Sequence, residues 1–227
     1  MLIILSAIAG LLTGSLINWA ADYVPRFAID KSLVPPNLQP RLMLAIGRPT
    51  RSNRLALAVE LLTALLFTYA ALRFGVTWPG LWLAAIGAVL ILVAVTDLKY
   101  RLVLNAVIYP AAVLVVLWQL FIAQANNVWV LIGAAFGLAI FWLAAWLRPG
   151  DLGGGDVKLA ALIGLLFGFP HVLWALLIGV VAGGAAVGWL VVARRWHAKA
   201  QIPYAPFLCL GALIALLYNP FATLFPL

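Results

Sequence analysis

Two aspartates stand where apolar runs meet polar segments, in a setting that suits acid–base hydrolysis. Asp97 ends the run AVLILVAVTD and opens DLKYRLVLN, while Asp156 follows Gly153-Gly154-Gly155 and leads into VKLAALIGLLFG. Two carboxylates held close together cannot both ionise cheaply, so one keeps its proton well above the ~3.9 typical of a free aspartate. Such a pair supplies both an acid and a base. The base activates a water against a peptide carbonyl, and the acid protonates the carbonyl oxygen or the leaving amine. Glycines beside one of the pair let an extended substrate backbone approach. Each aspartate also has an ordinary reading on its own: Asp97 as a helix-end carboxylate among Lys99 and Arg101, Asp156 as a helix N-cap behind a flexible loop. That reading needs one glycine, and it makes no use of two aspartates at the same depth.

The elements that must position this pair are membrane helices. Of 227 residues, 67% are hydrophobic and 9% charged, which exceeds an ordinary globular composition. About 20 apolar residues cross a bilayer as a helix, and the sequence divides into eight such stretches: 2–21, 55–73, 80–96, 103–123, 128–147, 157–169, 172–193 and 205–221. The sixth is short, consistent with a half-span or with one limb of a hairpin broken at Phe169-Pro170. The first has no positively charged leading region and no clear small-residue cleavage site, so it is read as a retained span. The fold class is therefore an all-α polytopic membrane protein forming a single membrane domain over 1–227.

The net charge of +8 is explained by topology and calls for no nucleic-acid partner. Arg26, Lys31, Arg41, Arg48, Arg51 and Arg54 follow the first stretch; Lys99 and Arg101 the third; Arg148 and Lys158 flank the junction of the fifth and sixth; Arg194, Arg195 and Lys199 follow the seventh. Arg73 alone falls on the other side. The positive-inside rule then places loops 22–54, 97–102, 148–156 and 194–204 in the cytoplasm and both termini outside it. The loop 22–54 carries Pro25, Pro35, Pro36, Pro40 and Pro49, which block a continuous helix.

Other features have structural readings. Glycines four apart (133 and 137, 164 and 168, 179 and 183, 184 and 188) predict close helix approach. Tryptophans near the ends of the stretches read as interfacial anchors. Cys209 is the single cysteine, which rules out a disulfide framework or a cysteine-rich zinc site. His171 and His197 fall on opposite sides of the membrane, so no metal site is expected. Ser6, Ser15, Ser32 and Ser52 have no histidine placed to activate them. Glu60 lies inside the second stretch as a supporting polar residue satisfied by a neighbouring helix. Lys158 either pairs with Asp156 or reaches for the headgroups.

Five segments in order resemble the type IV prepilin peptidases, polytopic aspartic proteases of the Gly-x-Gly-Asp kind. They are GLLTGSLINWAADYVPR, LAVELLTALLF, TDLKYRLVLN, LGGGDVKLAALIGLLFG and IPYAPFLCLG. The resemblance implies that Asp97 and Asp156 are the catalytic pair, supported by the loop residues Gly153, Gly154, Gly155 and Lys158 and by the polar residues Glu60 and Asn105. It implies removal of a short basic leader from prepilins or pseudopilins at the cytoplasmic face of a prokaryotic plasma membrane. Proteolysis of this kind needs no cofactor. Many members also methylate the new N-terminus with S-adenosylmethionine, and many bacterial ones carry Cys-x-x-Cys zinc ligands in the first cytoplasmic loop, which loop 22–54 lacks. Leu104 replaces the usual proline before Asn105, and Ala205 replaces a glycine.

Two other classes compete with that implication. A small transporter or proton pathway also embeds carboxylates, but it needs polar groups continuing outward, and beyond Glu60, Gln119 and scattered threonines the stretches offer few. A presenilin-like intramembrane protease shares Gly-x-Gly-Asp, but pairs it with Tyr-Asp and Pro-Ala-Leu, where this chain has Thr96-Asp97 and no Pro-Ala-Leu.

Overall fold

Apolar runs bounded by glycine, proline and polar clusters become helices in the computed structural model, and no strand forms among the described residues. The structure describes residues 1–25, 51–123, 126–147, 152–193 and 203–220. Asp30, Asp151, His197, the prolines 35–49 and most of the basic loop residues lie outside the described residues. In chain order the helices are α1 (Leu2–Tyr23), α2 (Arg51–Phe74), α3 (Trp78–Tyr100), α4 (Asn105–Trp118, continued by a π-helical turn Gln119–Ala123), α5 (Asn127–Leu147), α6 (Gly154–Phe167), α7 (Val172–Val192) and α8 (Ala205–Leu217).

Six of the eight expected stretches form helices long and apolar enough to cross a membrane: Leu2–Tyr23, Arg54–Phe74, Trp78–Tyr100, Asn105–Ala123, Asn127–Leu147 and Val172–Trp189. The other two are shorter. The 14 residues of α6 rise about 21 Å, against a hydrocarbon core of about 30 Å. Gly168 in a left-handed conformation (φ 66°) and Pro170 end that helix, and Tyr218 turns extended to end α8 after 13 residues.

The chain falls into two compact units, Met1–Thr96 and Asp97–Leu227. In the first, α1 packs on α2 through Gly10 and Gly14: a Cβ on either would lie 2.6 Å from an α2 backbone atom, Ala64 Cα and Glu60 Cα respectively. Asn18 Nδ2 donates to Ala56 O at 3.0 Å across the same contact. Glu60 and Thr63 are buried there.

In the second unit α5 and α6 run antiparallel in backbone contact. A Cβ on Gly133 would sit 2.6 Å from Gly164 O and 2.7 Å from Gly168 Cα, and one on Gly137 would collide with Ala160 O. Gly179 likewise admits Leu208 of α8, and Gly183 admits the Tyr204 ring. The pair Gly184 and Gly188 departs from the expectation of close approach. Both are exposed, with nothing within 4 Å of a built Cβ, because they lie on the face of α7 away from its partner.

Candidate active site

Asp97 occupies the last turn of α3, where the apolar run gives way to Lys99-Tyr100-Arg101. The helix closes on Arg101, whose φ of 56° is left-handed and whose N–H donates to Asp97 O at 2.8 Å. Asp156 sits in the first turn of α6. It is at the third helical position and not the N-cap expected from the sequence: Gly153 is the cap, in extended conformation, and has no side chain to contribute. The aspartate fills that deficit. Its Oδ2 accepts from Gly153 N–H at 3.2 Å while its own N–H donates to Gly153 O at 3.0 Å, satisfying orphan donors of the helix start.

The two carboxyl groups come together in the second unit. Asp97 lies within Coulombic reach of Asp156 and of Arg101, and it accepts a hydrogen bond from the backbone N–H of Ala205. Both aspartates are buried, Asp97 at 5% and Asp156 at 8% exposure. Asp97 Oδ2 and Asp156 Oδ1 have no hydrogen-bonding partner in the protein. Buried carboxylate oxygens without donors are costly, and where they occur they call for a functional account. Loss of hydration holds the Asp156 carboxyl above its ordinary range, against the smaller opposing pull of the Gly153 amide. Tyr204, the cap of α8, has its phenol pushed upward by burial and by the negative charge of Asp156.

The three glycines differ in their surroundings. A Cβ on Gly155 would lie 2.6 Å from Val103 Cβ, so this glycine lets the segment following Asp97 pack against the start of α6. Gly154 faces open space, and Gly153 would meet Asp156 Oδ2 at 3.5 Å, an ordinary contact. Lys158, for which the sequence left open pairing with Asp156 or reaching outward, donates from Nζ to Asn105 Oδ1 at 2.8 Å and lies 5.6 Å from the Tyr109 ring centroid. Glu60 belongs to the first unit.

The sequence reading did not single out Tyr204 and Ala205 as site residues. A main-chain donor leaves no side-chain signature, and the replacement of glycine by Ala205 leaves its N–H in place. No three His, Cys, Asp or Glu side chains group as metal ligands among the described residues.

A helical membrane-type chain with a buried, partly unpartnered pair of aspartates is thus the class that fold and site define. Residues 84–188, which carry both aspartates, match the type IV leader peptidase family. The chain is 33% identical over 173 residues to a prepilin leader peptidase/N-methyltransferase of Bacillus subtilis (strain 168), covering 71% of this chain and 65% of that protein. It is 28% identical over 191 residues to the protein of that name from Pseudomonas aeruginosa (78% and 64%), and 31% over 172 residues to the one from Legionella pneumophila (71% and 58%). The chain thus spans 58–65% of the length of these curated relatives. No solved structure matches it.

Proposed function

We propose that this chain is a membrane-embedded aspartic endopeptidase that removes the short leader of type IV prepilins or pseudopilins. The observation that carries the reading is the meeting of Asp97 and Asp156, each buried with one carboxylate oxygen unpartnered. In the reaction, one carboxylate takes a proton from a water as that water attacks the scissile carbonyl carbon. The other, protonated, hydrogen-bonds the carbonyl oxygen, and the proton gained from water passes to the leaving amine as the C–N bond breaks.

The alternation of basic residues supports a plasma-membrane protein of a prokaryote with its active site toward the cytoplasm, both termini outside and the bilayer as its surroundings. The relatives' names couple peptidase with N-methyltransferase. S-adenosylmethionine would supply a methyl group to the new N-terminus. No described residue cluster marks a place for it, and no step is assigned to it.

Co-expression with a pilin-like precursor from the same genome, read by intact mass, tests the assignment. Loss of the leader mass with the wild-type chain, abolished in Asp97→Asn and in Asp156→Asn, is expected. An added methyl mass would report the second activity. Cleavage that survives either substitution would sink the proposed pair. Folded protein that cleaves no precursor but conducts protons into liposomes would instead favour the transport reading.

A further inference from the structure

Helix α6 ends where it cannot satisfy itself. In an α-helix each carbonyl accepts from the N–H four residues on, and the last four are orphaned unless capped. Gly164 O is served by Gly168 N–H at 2.8 Å. The donor due to Leu165 O is Phe169 N–H, which donates instead to Trp129 O at 2.9 Å. The donor due to Leu166 O belongs to Pro170, which has no N–H. Water is scarce among apolar helices, so an unsatisfied carbonyl there is strongly destabilising.

One side chain answers both vacancies. Gln119 Nε2 donates to Leu166 O at 2.9 Å and to Leu165 O at 3.3 Å. Gln119 is buried (8% exposed) and is the first residue of the π-helical turn that ends α4, a type of turn that recurs at functional sites. Helix α4 itself begins eight residues after Asp97, and Val103, just before it, packs on Gly155. Helix α4, which carries Gln119, is therefore tied to Asp97 by chain connectivity and to the helix of Asp156 by hydrogen bonding.

We infer that Gln119 is a positioning residue: by capping the C-terminal end of α6 from α4, it sets the axial placement of Asp156 against Asp97. The inference rests on the peptidase reading for its kinetic consequence but not for its structural one. A short helix secured at its far end by neutral hydrogen bonds holds its first turn in register. Without them it can slide or fray by a fraction of a turn, and a displacement of about 1 Å at a reacting group costs on the order of 10²-fold in rate.

The test uses the full-length protein in detergent or nanodiscs. Gln119→Met keeps the length and removes the donors. The expected result is a kcat for leader cleavage at least about tenfold lower, a KM within about twofold of wild type, and faster amide deuterium uptake in residues 154–158 as well as 163–169. Wild-type kcat, a loss confined to KM, or faster uptake confined to 163–169 would each overturn the positioning role. If Gln119→Met is not recovered folded, Gln119→Asn, which keeps an amide but shortens the reach, is judged by the same criteria. A wild-type protein that cleaves nothing would sink the peptidase reading alone, and the deuterium-uptake pattern would then decide the positioning inference by itself.

Discussion

Replacing Gly155 by alanine would put a Cβ 2.6 Å from Val103 Cβ and 3.2 Å from its Cγ2. Carbon atoms pack at about 3.5–4.0 Å, so one partner must retreat by about 1 Å. No rotamer relieves the contact, because the closest atom is a Cβ fixed to its backbone. Either the segment that follows Asp97 moves or the first turn of α6 does, and each shift carries one carboxylate away from the other. Displacement on that scale costs on the order of 10²-fold in rate, so kcat for leader cleavage by Gly155→Ala should fall to about a hundredth of wild type. Gly154→Ala is the internal control. Nothing lies within 4 Å of its built Cβ and its φ is not positive, so its kcat should stay within about twofold. Adding Val103→Gly to Gly155→Ala removes the opposing atom, and the double variant should regain at least about tenfold, a coupling of roughly 1.4 kcal/mol. Purified variants assayed on a precursor peptide by mass spectrometry would decide it. Wild-type kcat in Gly155→Ala, or equal damage from Gly154→Ala, would refute the reasoning.

Asp156→Asn should stabilise the fold at neutral pH. Burial raises the folded-state pKa above 3.8, so the protonated form's stability is complete below 3.8 and is lost as pH rises through the folded value; the melting temperature of the variant should exceed wild type at pH 7.5, with the gain shrinking toward pH 4. Gly164→Ala should destabilise by about 1–3 kcal/mol, since its Cβ would collide with Gly133 O and lie 2.8 Å from Ala134 Cα; the exposed Gly188→Ala should stay within about 0.5 kcal/mol, both read by thermal unfolding in detergent. Ala205→Gly should leave kcat within about twofold, because the group that serves Asp97 is the backbone N–H.

Much of this arrangement was readable from the chain because the membrane imposes length on apolar runs. The shortness of α6 was signalled by the break at Phe169-Pro170, whereas the last stretch was expected to run to residue 221 and α8 ends at Leu217, where Tyr218 turns extended. The aspartates were conspicuous because carboxylates are costly within apolar surroundings. What could not be read is contact made through the main chain. Ala205 reaches Asp97 with an amide hydrogen that every residue but proline possesses, and Gln119 finds carbonyls whose own donors are missing for reasons spread over Trp129, Phe169 and Pro170. Gly155 likewise looked like a neighbour of its aspartate. Its partner Val103 is distant in sequence, so the glycine run could not say which of its members is sterically required.

The packing of α5 on α6 also sets which part of α5 faces Asp156. Gly133 lies against Gly164 and Gly137 against Ala160, and the same antiparallel register continued brings Asp156 opposite Phe141. The ring of Phe141 is 6.0 Å from that of Tyr204, whose phenol responds to the Asp156 charge, so the extrapolation agrees with a separate contact. Helical peptide bonds hide their carbonyls in i to i−4 bonds and are poor targets for a base-activated water, so on the proposed chemistry the pair acts on a peptide bond in an extended segment and disfavours continuous helices.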